Sequence, residues 1–293
     1  MKKFEVANHE PSYLPEEKNW KLVWSDEFDG TALDESKWNY RMYYWGKKSP
    51  TFTDEVVLDG ESHLHIPLIY RDGVFKSAHL QTGGLTFDLP RDEDANGFWP
   101  FGKKVEYKFM HKYGYYEIRC KLPKNDGWHA AFWLQAPGIG SHPDPAQCGV
   151  ECDIMENYLL ATKGMVIGGI GYGGYGKESV WPGHFRVPYV ETEDGWHTYA
   201  VDWSKDGYIF YYDGVEIGRQ MAPEFPVSNI EQFLLVSTEC HGYHRMFSND
   251  CAESTAAGDA KVWGGKAVDA LYSATLPDEF IVDYVRVFDE VEE

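Results

Sequence analysis

Short segments rich in aromatic and β-branched residues recur along the chain between turn-forming residues, as they do in antiparallel β-sheets. Hairpin turns are predicted at Lys205-Asp206-Gly207 and at Asp213-Gly214. The sequence has no long 3.6-residue periodicity, and only 227–233 and 266–272 are candidates for short helices. The pattern therefore predicts an all-β fold. The predicted strands are 21–24, 62–66, 76–81, 105–109, 115–122, 130–135, 150–157, 165–172, 198–203, 208–212, 233–237 and 280–287.

One predicted strand carries three acidic residues. Glu151 and Asp153 share a face of that strand because side chains alternate, but Glu156 falls on the opposite face. A one-residue β-bulge near Ile154 and Met155 would restore the phase, and bulges occur beside active sites because they re-aim a side chain. The apolar residues of the segment would then share the buried face. The sequence thus predicts a bulged strand with three carboxylates in one cleft.

These carboxylates suit acid–base chemistry on a glycosidic bond. In a retaining glycosidase two carboxyl groups lie about 5 to 5.5 Å apart, one attacking the anomeric carbon and the other protonating the leaving oxygen. Glu151 is the expected nucleophile and Glu156 the acid/base, with Asp153 hydrogen-bonded to the nucleophile. The competing interpretation is that an acidic chain produces this spacing by chance on a solvated face. The apolar opposite face favours an ordered sheet and a functional cluster.

Motifs on both sides of the acids occur in a definite order along the chain. They are 81–85 (QTGGL), 113–123 (YGYYEIRCKLP), 127–134 (GWHAAFWL), 196–199 (WHTY), 210–214 (FYYDG) and 282–287 (VDYVRV). This order resembles that of glycoside hydrolase family 16, and the resemblance runs from about Trp20 to Phe288. It covers nearly the whole chain.

The resemblance implies a concanavalin-like β-jelly roll, an all-β sandwich of two curved antiparallel sheets. The family's catalytic pattern, Glu-x-Asp-x-x-Glu, falls on Glu151, Asp153 and Glu156. The implied domains are an N-terminal extension, 1–19, and a single catalytic domain, 20–293. The implied activity is retaining endo-hydrolysis of a β-linked polysaccharide or oligosaccharide, with β-1,3- or mixed β-1,3/1,4-glucan expected first. No cofactor is required for this catalysis.

Two departures from the family pattern keep the substrate open. Laminarin-cleaving members often carry a His in the strand after the acids, where this chain has Gly171. A late Asn-x-Ala-x-Gly-Gly segment is replaced by 235–242 (LVSTECHG). A galactan hydrolase of the agar or porphyran type is therefore an alternative. A non-catalytic lectin of the same fold is a second alternative, which the intact acids disfavour.

Aromatic and histidine side chains near the acids are candidates for binding sugar, because the C–H faces of sugars stack on rings. Most rings in a β-sandwich are nevertheless core residues. The resemblance places Trp128 and Trp133 beside the catalytic strand, and Tyr43 and Trp45 lie in an early loop. The predicted substrate-binding residues are Trp128, Trp133, His129, Tyr43, Trp45, His241 and Tyr243.

A structural calcium ion is implied by the resemblance alone. Family members often bind it through backbone carbonyls near an early Asp-Glu-Phe and through an Asp of the last strand, and the corresponding residues here are Glu27, within Asp26-Glu27-Phe28, and Asp283. The chain shows no calcium loop of alternating acids, so the alternative is a solvated turn and an ordinary strand-end Asp.

Net charge limits the partners of this chain. A formal net charge of -20 disfavours nucleic acid and anionic membrane surfaces, which require a basic footprint. Five cysteines without a Cys-x-x-Cys spacing argue against a disulfide framework and a zinc site. We expect a monomer. The N-terminus lacks the apolar run of a signal peptide, so the expected location is extracellular if a leader was trimmed and cytoplasmic otherwise.

Overall fold

The computed structural model describes residues 1–44, 47–86, 88, 106–157, 165–240, 267 and 269–292. Within these residues, two short helices, α1 (Pro145–Cys148) and α2 (Asp269–Tyr272), accompany the strands, and neither has the length and apolar character needed to span a bilayer. The strands are β1 (Lys2–Phe4), β2 (Ser12–Leu14), β3 (Asn19–Asp26), β4 (Asn39–Tyr40), β5 (Tyr43–Tyr44), β6 (Lys47–Lys48), β7 (Phe52–Thr53), β8 (Val57–Leu58), β9 (Leu64–Arg71), β10 (Val74–Gln81), β11 (Gly114–Lys121), β12 (Trp128–Gln135), β13 (Glu151–Asn157), β14 (Met165–Gly171), β15 (Phe185–Pro188), β16 (His197–Ser204), β17 (Gly207–Tyr212), β18 (Val215–Met221), β19 (Phe233–Cys240) and β20 (Asp278–Val291).

The strands form one large, almost entirely antiparallel ladder with two halves. The front sheet has the order β15-β14-β13-β12-β19-β10, and the back sheet continues as β9-β20-β11-β16-β17-β18. Residues of both halves, such as Phe132 of the front sheet and Val285 of the back sheet, fill one hydrophobic core. The predicted all-β jelly-roll sandwich is therefore confirmed, with the core between the sheets.

Alternation of side chains along each strand explains why the two sheets pack. In β11 Tyr116, Ile118 and Cys120 are fully buried in the core between the sheets. Complete burial of an aromatic or aliphatic side chain stabilises a fold by about 1.5–3 kcal/mol, so each such strand contributes substantially. The outward residue Tyr115 packs with Leu14 and Phe288 in a smaller cluster on the outer face of the back sheet.

The N-terminal segment, 1–19, packs on this outer face. Its strands β1 and β2 pair with each other, and the hydroxyl of Tyr115 donates to the backbone oxygen of Tyr13 at 3.3 Å. Arg286 Nη1 of β20 donates to Ser12 Oγ at 2.9 Å. The predicted extension is thus attached to the sandwich by buried polar contacts.

Most predicted strands coincide with observed ones, but two short elements do not. Residues 106–109 are not a strand, because the backbone N–H groups of Lys108 and Phe109 both donate to the oxygen of Thr82 instead of joining a ladder. The helix predicted at 227–233 is an irregular segment leading into β19. The candidate at 266–272 forms α2 in its last four residues.

A buried acid lies under the N-terminal segment. Glu117 of β11 is 1% exposed, and the hydroxyl of Tyr284 donates to its Oε1 at 2.9 Å. Burial raises the pKa of Glu117 to about 7, although hydrogen bonds from Ser12 and Tyr284 oppose the rise. The ionised form of Glu117 is therefore disfavoured in the folded protein.

Replacing Glu117 with Gln should weaken the pH dependence of stability. An unfolded Glu ionises near 4.5 and the folded group near 7, so the wild type loses stability as pH rises through that window. We expect the difference in free energy of unfolding between E117Q and the wild type, measured with urea, to change by roughly 1–3 kcal/mol in favour of E117Q between pH 4 and pH 8. A constant difference across this range would contradict the raised pKa.

Candidate active site

A bulge in β13 brings the three acidic side chains onto one face. In the ladder with β12, Met155 pairs with Phe132 and Asp153 pairs with Trp133, which leaves Ile154 as the extra residue. Glu156 consequently pairs with Ala131, two positions from Trp133 and on the same face. The predicted bulge and its position are confirmed.

The bulge also keeps the apolar side chains of β13 in the core beneath the acids. Cys152, Ile154 and Met155 are fully buried between the sheets. Because these residues occupy the core face, Glu151, Asp153 and Glu156 lie on the outer face of the front sheet. The carboxylates therefore lie on a strand whose opposite face is anchored in the core.

Glu151 is held by two neutral hydrogen-bond donors. Gln135 Nε2 donates to Glu151 Oε2 at 2.8 Å, and the hydroxyl of Tyr175 donates to the same oxygen. Desolvation raises the pKa of Glu151 well above its ordinary value, and the negative charge of Asp153 adds to the rise. The hydrogen bond from Tyr175 opposes it. The two donors thus favour the ionised form in a site that disfavours charge.

Asp153 lies between the two glutamates and is 3% exposed. Its Oδ2 is 3.0 Å from Nε2 of His184, a residue of the segment between β14 and β15. Burial raises the pKa of Asp153 well above its ordinary value, and the charge of Glu156 reinforces the rise. Simultaneous ionisation of the crowded acids is therefore unfavourable.

Glu156 has a different partner. His129 Nε2 lies 2.8 Å from Glu156 Oε1, and both side chains are nearly buried. Burial lowers the pKa of His129, but the hydrogen bond and charge of Glu156 outweigh it, and Glu239 also contributes, so the pKa is raised overall. Glu156 is thus the carboxylate with a titratable neighbour, whereas Glu151 has neutral donors.

The other predicted binding residues divide into three groups. Trp133 lies on the same face as the acids, where its Nε1 donates to Ser237 Oγ at 3.1 Å. Tyr43 is half-buried on β5. The remaining candidates, Trp45, His241 and Tyr243, lie outside the residues that the structure describes.

The structure corrects the role predicted for Trp128. An odd number of positions separates Trp128 from Trp133 along β12, so the two rings point to opposite faces of the front sheet. Trp128 is 2% exposed and packs edge-on against Phe75 with ring centroids 6.0 Å apart. It is a core residue and not a sugar platform.

The carboxylates of the two residues predicted at a calcium site, Glu27 and Asp283, are each paired with an arginine. Glu27 accepts hydrogen bonds from Nε and Nη2 of Arg286 at 3.0 and 2.7 Å. Asp283 Oδ2 accepts from Arg119 Nη1 at 2.5 Å. Each carboxylate thus has a guanidinium partner. The predicted site uses backbone carbonyls near Glu27 together with Asp283, and calcium stays a prediction that no step of the mechanism requires.

Three groups of the acid cluster lie close enough to share a cation. Ligand atoms of Asp153, Glu156 and His184 lie within 4.8 Å of one another. The hydrogen bonds of these side chains already account for their arrangement without a metal. We therefore assign them to the acid–base machinery.

Several site residues were not among the sequence candidates. Gln135 was detectable, because it lies two positions from Trp133 on the same strand and so shares its face. Tyr175 and His184 come from an irregular segment after β14, and no sequence periodicity marks them. Their position follows only from the folded path of that segment.

Comparison with known proteins agrees with this geometry. Glucan endo-1,3-beta-glucosidase A1 of Niallia circulans is 30% identical across 92% of this chain, which spans 38% of that protein's length. Beta-glucanase of Rhodothermus marinus is 27% identical across 94% of this chain and 87% of its own length. The catalytic domain of an endo-1,3-beta-glucanase (laminarinase) from Thermotoga petrophila RKU-1 shares the fold, with a TM-score of 0.63 and 22% identity over 94% of this chain and 100% of that chain.

The family assignment rests on a model match that contains the site. The model of glycosyl hydrolases family 16 matches residues 70–231, which is more than half of the chain and includes all three acids. The chain belongs to glycosyl hydrolases family 16.

Proposed function

We propose that this chain is a retaining endo-glycoside hydrolase that cleaves β-1,3- or mixed β-1,3/1,4-glucan. The observation that carries the proposal is the bulge in β13, which places Glu151 and Glu156 on one face with different hydrogen-bond partners. Two carboxyl groups in different environments are what double displacement requires. The names of the Niallia and Rhodothermus relatives support glucan as the substrate.

Glu151 is the nucleophile in this proposal. Both hydrogen bonds to its side chain fall on Oε2, which leaves Oε1 to attack the anomeric carbon. The new C–O bond forms as the bond to the leaving sugar breaks, giving a covalent glycosyl-enzyme. Gln135 and Tyr175 position the carboxylate and favour its ionised form.

Glu156 is the acid/base. It gives its proton to the glycosidic oxygen in the first step and removes a proton from water in the second, when water attacks the glycosyl-enzyme. His129 Nε2, 2.8 Å from Glu156 Oε1, positions this carboxyl group. Asp153 lies between the glutamates, and its negative charge contributes to the raised pKa of Glu151.

A galactan is the second candidate substrate. Gly171 replaces the His of laminarin-cleaving members, and Glu239 stands in the altered late segment and acts electrostatically on His129. These changes alter the surface that meets the sugar next to the acids. The glycan-binding lectin of the same fold is disfavoured, because crowded buried carboxylates are destabilising and binding alone does not require them.

We propose that the protein acts as a monomer without nucleic-acid or membrane partners. The net charge of -20 supports the absence of nucleic-acid and membrane partners, because anionic polymers and surfaces would be repelled. A neutral glucan experiences no such repulsion.

The activity assay compares wild type with the E151Q variant on laminarin, lichenan, agarose and porphyran. We expect reducing ends from laminarin or lichenan, and a loss of about a thousandfold or more in kcat for E151Q. The matched E117Q variant carries the same chemical change on the back sheet and should keep wild-type activity. Release from galactans alone would overturn the glucan assignment. Near-normal turnover by E151Q would overturn the nucleophile assignment.

Removing the Tyr175 hydroxyl should move the acidic limb of the pH profile. The hydrogen bond from Tyr175 lowers the pKa of Glu151, so the Y175F variant should need a higher pH to ionise the nucleophile. The acidic limb of kcat/KM should therefore shift upward in pH while the basic limb stays in place. Tyr172 packs toward the core, so Y172F is the control and should leave both limbs unchanged. An acidic limb that does not move in Y175F would refute this role.

A further inference from the structure

Two glycines of β14 face the catalytic acids. In the ladder with β13, Gly169 pairs with Asp153 and Gly171 pairs with Glu151. Residues directly opposite each other in an antiparallel pair present their side chains on the same face. Side chains at these two positions would therefore project onto the surface where the acids lie, and glycine leaves that space open.

The segment between β14 and β15, residues 172–184, fills this space. We name it the β14–β15 strap. Backbone hydrogen bonds in both directions between Tyr172 and Val180, at 3.0 and 2.8 Å, close the strap on itself. A Cβ on Gly169 would fall 2.6 Å from the His184 ring, and a Cβ on Gly171 would overlap the six-membered ring of Trp181. The missing side chains of β14 thus provide the seat for two rings of the strap.

Trp181 is fixed at one side and open at the other. Its six-membered ring rests against Gly171, and its Nε1 donates to Ser179 Oγ at 2.7 Å. The His184 ring, which contacts Asp153, lies 5.6 Å from it. The side chain is nevertheless 43% exposed. A large ring that is held in one orientation beside buried acids and is partly exposed loses little conformational entropy when a ligand stacks on it.

We propose that Trp181 is the stacking platform for a pyranose ring of the glucan, in the subsite beside Glu151. This inference rests on the proposed glucan hydrolysis. The hydroxyl groups of β-glucose are equatorial, so both faces of its ring are C–H surfaces that match an exposed indole. Gly171 then leaves the space in which the Trp181 indole lies. In this chain a ring from the β14–β15 strap occupies the position that a side chain on β14 would otherwise fill.

The test is steady-state kinetics on a length series of β-1,3-gluco-oligosaccharides. The W181A variant should raise KM by roughly tenfold for oligosaccharides long enough to reach the subsite, with kcat changed little. W181F retains a smaller ring and should show a smaller rise in KM. G171A should raise KM in the same way, because the added methyl group displaces the indole.

Two matched variants of the strap control for general disturbance. A Cβ on Gly176 meets no atom within 4 Å, so G176A should match the wild type. V180A removes a neighbouring exposed side chain and should also match it. If W181A fails to fold, as judged by its thermal melt, W181F and G171A decide the question.

Three results would overturn the platform. They are an unchanged KM in W181A at every length, a loss confined to kcat, and an equal loss in G176A. A wild-type enzyme that cleaves no β-glucan would instead overturn the proposed function itself. The two failures are therefore distinguishable in one experiment.

Discussion

The whole site depends on one extra residue in strand β13. With strict alternation Glu156 would point into the core opposite Ala130, where an ionised carboxylate would cost several kcal/mol. With Ile154 inserted as a bulge, both Ile154 and Met155 remain fully buried and Glu156 emerges beside Asp153. The ladder to β14 accommodates the same bulge, since it passes from Asp153 opposite Gly169 to Glu156 opposite Ile167. Packing of the core and placement of the acids are thus one constraint.

Electrostatics then differentiates chemically similar groups. Desolvation and mutual repulsion raise the pKa values of Glu151 and Asp153, so full ionisation of the cluster is unfavourable. Neutral donors from β12 and the β14–β15 strap favour the charged form of Glu151. Glu156 instead has His129 of β12 within hydrogen-bonding distance, at 2.8 Å. Because these partners come from separate elements, the roles of the acids are set by the fold rather than by their order along the chain.

Most features of the catalytic strand could be predicted from the sequence, but few of the contacts around it could. Strict alternation puts Glu156 on the face opposite Glu151 and Asp153, and this mismatch predicted the bulge. The prediction was possible because alternation depends only on neighbouring positions in the strand. The same rule places Trp128 in the core, since an odd number of positions separates it from Trp133, and here motif resemblance misled. The ion pair of Arg286 with Glu27 joins residues 259 positions apart, so no local pattern in the sequence shows that the Glu27 carboxylate has this partner. Likewise, His184 reaches Asp153 only through the path of the strap.

The most direct test of the account is to trap the glycosyl-enzyme. A 2-deoxy-2-fluoro glucosyl donor with a good leaving group slows the second step, so the covalent sugar accumulates on the nucleophile. Tandem mass spectrometry of the digested protein then identifies the modified residue. The account predicts one added sugar, attached to Glu151. A sugar attached to Glu156, or a product released with inverted configuration and no adduct, would contradict it.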